Sequence, residues 1–101
     1  MINVGFFYDV KPGKNSEFEK SFNEVIRYLE GNVDGFVSAV LYRDVNKPDE
    51  YMIFSEWKDN DSFKEFTTSR PFLDTTGAGK NILASRPRHI VLSENKTISR
   101  L

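Results

Sequence analysis

The sequence predicts an α+β fold in which a four-stranded antiparallel sheet carries its helices on one face. Three observations predict it. Strand-like and helix-like stretches follow one another in the order strand, helix, strand, strand, helix, strand. Each helix-like stretch gathers its large apolar residues on a single stripe, so each has one face to bury. Three of the strand-like stretches are apolar on both sides of the pleat, so a sheet built from them needs cover on both faces.

The first strand spans residues 2–10, with Ile2, Val4, Phe6, Tyr8 and Val10 on one side and Phe7 among the residues of the other. Lys11-Pro12-Gly13-Lys14 is a turn, and Ser16 followed by Glu19 has the spacing of a capping box at a helix start. Phe18, Phe22, Val25, Ile26 and Leu29 then recur at helical spacing, and the segment Gly31 to Gly35 ends that helix. Phe36 to Asp44 reads as a second strand, with Phe36, Val40 and Tyr42 set against Val37, Ala39 and Leu41. Asn46-Lys47-Pro48-Asp49 is a hairpin turn into the third strand, Tyr51 to Lys58. Asp59 to Asp61 offer N-cap side chains to a short helix whose apolar face carries Phe63 and Phe66. Pro71 suits the first residue of a further helical turn. Gly77-Ala78-Gly79 reads as a helix break, because it lacks the preceding strand and the Gly-Lys-Ser/Thr ending of a phosphate loop. Arg88 to Glu94 is the last strand.

This is the ferredoxin-like βαββαβ order, and right-handed crossovers place both helical segments on one face of the sheet. Residues 1–95 are expected to form one domain, with 96–101 a C-terminal tail. The other sheet face then requires a partner, and a second copy of the chain is the expected one. Two sheets stacked about 10 Å apart would bury it. In the phase that points Ile53 toward that partner, Ile53→Asp is expected to leave the chain unfolded or aggregated.

Composition narrows the function classes. The 101 residues carry 14 basic and 15 acidic side chains, a net charge of −1, so no long-range field favours nucleic acid or an anionic membrane. There is no cysteine, which removes disulfides, thiolate nucleophiles and thiolate metal sites together. No apolar run approaches the roughly 18 residues that span a bilayer, and Met1-Ile2-Asn3-Val4 does not open a signal peptide. The expected location is cytoplasmic.

Gly35-Phe36, Ser55-Glu56-Trp57-Lys58-Asp59, Ser62-Phe63-Lys64-Glu65-Phe66, Asn81-Ile82-Leu83 and Arg86-Pro87-Arg88-His89 together resemble the antibiotic biosynthesis monooxygenase (ABM) type of dimeric α+β barrel, over about residues 2 to 94. The resemblance implies a homodimeric ferredoxin-like fold and an oxidoreductase of the cofactor-independent monooxygenase kind, acting on a small aromatic, polycyclic or quinol substrate. The same superfamily includes haem-degrading oxygenases. In that branch an Asn, a Trp and an iron-ligating His occupy positions that fall here on Phe6, Phe66 and Thr76, so haem turnover by that route is not expected. The cofactor expectation is none, with haem the disfavoured alternative.

The residues themselves suggest where such chemistry would sit. Histidine is the one side-chain type that changes charge near neutral pH, and His89 is the chain's only example, flanked by Arg86 and Arg88. It is the candidate catalytic base, weighed against a bland role on a strand rim. One histidine without cysteines or an acidic cluster gives too few ligands for a metal site. Phe6, Tyr8, Phe22, Trp57, Phe63, Phe66 and Phe72 are the candidate substrate-binding wall of a pocket between sheet and helices, though aromatic residues at these spacings also build a core. Three readings therefore stand at the level of sequence: an oxygenase, a non-catalytic small-ligand or haem-binding dimeric module, and an assembly module filled by its own phenylalanines.

Overall fold

The computed structural model describes residues 1–68 and 81–93. The elements are β1 (Ile2–Asp9), α1 (Asn15–Asn32), β2 (Phe36–Arg43), β3 (Glu50–Trp57), α2 (Asn60–Thr67) and β4 (Arg88–Ser93). The strands form one sheet in the order β2-β3-β1-β4, every neighbouring pair antiparallel. The ferredoxin-like architecture expected from the element order is the one observed. Pro71, Phe72, Thr76, the Gly77-Ala78-Gly79 break and the boundary at residue 95 lie outside the described residues. Among the described residues no helix is long and apolar enough to cross a membrane.

Both helices pack on one face. Leu29 of α1 and Phe63 and Phe66 of α2 meet Val4 and Trp57 of the sheet in one buried cluster, with Ile2, Phe6, Val25, Ile26, Val33 and Phe36 around it. A second cluster joins Phe18 of α1 to Val10 and Tyr51, with Tyr8, Leu41, Ile82 and Leu83 against it. Val10 extends the β1 edge by bridging to Leu83, and Ala84 N–H donates to the Asp9 carbonyl at 2.7 Å.

The start of α1 differs from the capping box that Ser16 and Glu19 suggest. The N-cap position is Lys14, which makes no side-chain cap. Glu19 instead accepts the Tyr51 hydroxyl at 2.6 Å, while Asn15 Nδ2 donates to that hydroxyl at 3.1 Å. A buried tyrosine oxygen needs partners, and the first turns of α1 supply them. Asp59 caps α2 as expected, accepting from the Ser62 amide and hydroxyl, each at 2.8 Å.

Register corrects two side-chain assignments. A β-bulge between Phe36 and Ser38 shifts the alternation of β2, so Phe36 pairs with Trp57 and lies with the helix-side cluster instead of with Val40 and Tyr42. Ile53 pairs with Phe6, on the helix side, and not on the face awaiting a partner. The open face carries Met52 and Phe54 from β3. Across the four strands it presents the rows Tyr42–Met52–Phe7–Arg88 and Val40–Phe54–Gly5–Ile90, then Ser38–Glu56–Asn3–Leu92. Val40, Tyr42, Phe54, Ile90 and Leu92 are exposed there, between 38% and 53%.

Candidate functional site

On the helix side, one cross-strand row reads Leu41–Ile53–Phe6–His89. Strand β4 is an edge, so His89 stands at the rim of the sheet and is exposed. Its ring is nevertheless held by two phenylalanines, with centroids 5.9 Å from Phe6 and 5.8 Å from Phe63, the latter edge-on. Among the described residues its nitrogens have no hydrogen-bond partner.

The candidate wall divides into three groups. Trp57, Phe63 and Phe66 are buried core residues, their rings in contact at 5.4–5.6 Å. Phe6 and Tyr8 are half-buried and stack on each other at 6.4 Å. Phe22 shares the inward face of α1 with Phe18, Val25 and Ile26, is half-buried and belongs to neither core cluster. Ile53, which sequence reasoning set on the other face, is likewise half-buried and outside both clusters. Phe6 lies against the first cluster and Tyr8 against the second, so the helix-side layer at this point of β1 is the seam where the two packed regions meet, with His89 at the end of the Ile53–Phe6 row. Phe72 lies outside the described residues.

Burial pushes the Tyr8 hydroxyl up to about 12. At neutral pH it keeps its proton, so it can donate a hydrogen bond to an anion but cannot take up a proton. Burial, and then the hydrogen bond to Glu19, raise Tyr51 in the same direction, but that hydroxyl is already engaged.

At the positions of the degrading branch's Asn and Trp, Phe6 and Phe66 are packed rings, and the position of its iron-ligating His, Thr76, lies outside the described residues. Among the described residues no group of three or more His, Asp or Glu side chains is gathered to hold a metal ion.

A groove of about 410 Å³ lies elsewhere, at the end of the sheet where β1 and β2 finish, lined by Phe7, Asp9, Tyr42, Met52, Arg86 and Arg88 among others. Sequence reasoning did not find it, because its residues come from the ends of four strands and become neighbours only through register.

A four-stranded antiparallel sheet backed by two helices, with an aromatic helix-side layer, defines a small α+β module of the ferredoxin-like class. The chain belongs to the antibiotic biosynthesis monooxygenase family, whose profile matches residues 1–77. Solved structures with the same fold include a conserved protein of Methanosarcina mazei, at a TM-score of 0.84 and 21% identity over 93% of this chain and 92% of that one. Another is SnoaB, a cofactor-independent oxygenase from Streptomyces nogalater, at 0.82 and 21% identity over 98% and 97% of the two chains. Among curated proteins, one of Halobacterium salinarum, provisionally named a heme-binding protein, is 34% identical over 89% of this chain. One of Natronomonas pharaonis with the same provisional description is 33% identical over the same share. The chain spans only 18% and 15% of the lengths of these two relatives.

Proposed function

We propose that the chain is a cofactor-independent oxygenase module of its family, acting on an activated phenol or anthrone in the helix-side seam. The observation that carries this reading is the His89 imidazole, free of hydrogen bonds among the described residues and set against Phe6 and Phe63. Deprotonation of such a ring substrate by His89 produces an anion electron-rich enough to reduce O₂ itself. Oxygenation at the ring carbon and loss of water turn a methylene into a carbonyl, with one oxygen atom in the product and one in the water. The protein needs to supply only a base, an apolar wall and a donor to the anion. His89, the rings of Phe6, Tyr8, Phe22, Trp57, Phe63, Phe66 and Phe72, and the protonated Tyr8 hydroxyl are the groups assigned to these roles. The module works as a homodimer through the open sheet face, and its expected setting is the cytoplasm.

Oxygen uptake by purified protein with anthrones, naphthols and quinols tests the proposal. His89→Ala is expected to lower turnover by roughly 10²-fold or more, the usual scale of one general base, with little loss of thermal stability. Unchanged turnover in that variant overturns the assignment of His89.

The names of the haloarchaeal relatives favour a second reading, a haem-binding module. The residues fit it in one respect: an imidazole beside two aromatic rings, with no hydrogen-bond partner among the described residues, has a nitrogen that could ligate haem iron. His89 would be the ligand, with Phe6 and Phe63 against the macrocycle, and haem would supply redox chemistry at its iron. Haemin titration decides between the readings, since a Soret band shifted by wild type and not by His89→Ala supports haem ligation.

A further inference from the structure

We propose that Tyr51 and Glu19 form a redox-active pair that draws oxidising equivalents out of the helix-side seam, through a file of stacked rings beginning at His89. In an oxygenase pocket, as proposed above for this seam, stray radicals are by-products that damage the protein unless they are led away. From His89 the ring centroids run 5.9 Å to Phe6, 6.4 Å on to Tyr8, 5.2 Å to Phe18 and 4.7 Å to Tyr51. Tyr8 and Tyr51 are also direct cross-strand partners on β1 and β3. The file crosses from one packed cluster to the other and ends beneath the first turns of α1.

Side-chain chemistry decides where an electron hole in this file comes to rest. With no cysteine, the chain's readily oxidised one-electron donors are its four tyrosines and one tryptophan. Tyr8 and Tyr51 lie in the file, and Trp57 lies beside it, against Phe63, which also touches His89. Phenylalanine rings are far harder to oxidise and serve only as the medium the electron tunnels through. An oxidised tyrosine is a strong acid, so a neutral radical forms readily where a base already holds the hydroxyl. Tyr51 has that base: it donates to Glu19 Oε2 at 2.6 Å, a charge-assisted length, while Asn15 Nδ2 donates to it from 3.1 Å. The Trp57 indole donates instead to the Ser55 hydroxyl, which is no base. Tyr51 is 4% exposed, so its radical is shielded, and half-buried Glu19 can exchange its proton with water.

The electrons balance as follows. Reduction of O₂ by the substrate anion leaves a ring-carbon radical, and one that meets a second O₂ becomes a peroxyl radical. That radical takes one electron through the file and the proton held by His89, and becomes a hydroperoxide. Tyr51 supplies the electron and passes its hydroxyl proton to Glu19, leaving a neutral tyrosyl radical and a carboxylic acid. A soluble one-electron reductant of the ascorbate class restores the tyrosine, with Glu19 returning the proton.

His89 is the chain's only histidine, so a ruthenium photo-oxidant attached to its imidazole injects a hole at the start of the file without substrate or O₂. The result is then independent of the oxygenase reading, which stands or falls on oxygen uptake. After flash-quench oxidation, freeze-trapped wild type should give the electron paramagnetic resonance spectrum of a neutral tyrosyl radical. Tyr51→Phe should lower its yield at least tenfold, and so should Glu19→Gln, which keeps the shape of the acceptor but not its basicity. Phe18→Leu, which removes the ring between Tyr8 and Tyr51, should slow its appearance at least tenfold. Absence of a tyrosyl radical in wild type, or an undiminished yield in Tyr51→Phe or in Glu19→Gln, overturns the proposal. So does an unchanged rate in Phe18→Leu, which would take the electron by another route.

Discussion

The indole N–H of Trp57 donates to Ser55 Oγ at 3.0 Å, and Ser55 in turn donates to the carbonyl of Val4 at 2.9 Å. Both side chains are all but sealed from solvent, at 1% and 2% exposure. The relay lets the largest side chain of the core carry a polar atom inward without leaving it unpaired. Ser55→Ala orphans the indole donor, at a cost of about 1–3 kcal/mol. Denaturant unfolding should show the midpoint falling with an unchanged slope, and a stability equal to wild type would mean that a water replaces the hydroxyl.

Gly35 sits at φ +88°, and a Cβ built there would collide with the Ser62 side chain. Its carbonyl also accepts from the Lys58 amide at 2.7 Å, so the turn into β2 is locked against the start of α2. Gly35→Ala combines a left-handed backbone penalty of roughly 1–2 kcal/mol with that overlap. Thermal melting should show a clear loss of stability, while Gly13→Ala, also at positive φ (+84°) but with open space around its Cβ, should lose less.

Alkaline pH should unfold the protein partly through Tyr8. The folded hydroxyl is pushed to about 12 from its ordinary 10.0. Between those values the unfolded chain has released the proton and the folded chain has kept it, so stability is complete below pH 10 and falls above it. At pH 12 the loss attributable to Tyr8 is roughly 2 kcal/mol. Tyr8→Phe should show a shallower decline than wild type between pH 10 and 12; an identical decline would place the titration elsewhere, with Tyr51 the next group to test.

The apolar row Val40–Phe54–Gly5–Ile90 is the part of the open face best suited to bury a second copy. Gly5 leaves room for Ile90, whose Cγ1 lies 3.5 Å from where a Cβ would be. Phe54→Glu places a charge in the middle of that row, so sedimentation at micromolar concentration should change from dimer to folded monomer. Ile53→Asp, by contrast, puts a charge on the helix side and should unfold the chain. A Phe54→Glu dimer would move the interface off this face.

The sequence by itself determined the order of elements, the inward stripe of α1, the cap at Asp59 and the apolar character of both faces of the sheet. These are local or periodic properties: a stripe or an alternation is set by neighbours within one or two turns of chain. The resemblance in the segments from Gly35 to His89 carried the family as well. His89 was legible as a candidate because it is the chain's only histidine.

Which face each side chain joined was decided by the tertiary structure. One extra residue at the β2 bulge moved Phe36 across the sheet, and pairing with Phe6 set Ile53 against the helices, because strand register reverses every side chain for a slip of one residue. Glu19 left its expected cap to satisfy a buried hydroxyl 32 residues away in the chain. The juxtaposition of His89 with Phe6 and Phe63, and of Arg86 and Arg88 with the floor of the groove, arose in the same way. Sites assembled from the ends of separate strands have no period along the chain, so only the packing of the sheet brings their residues together.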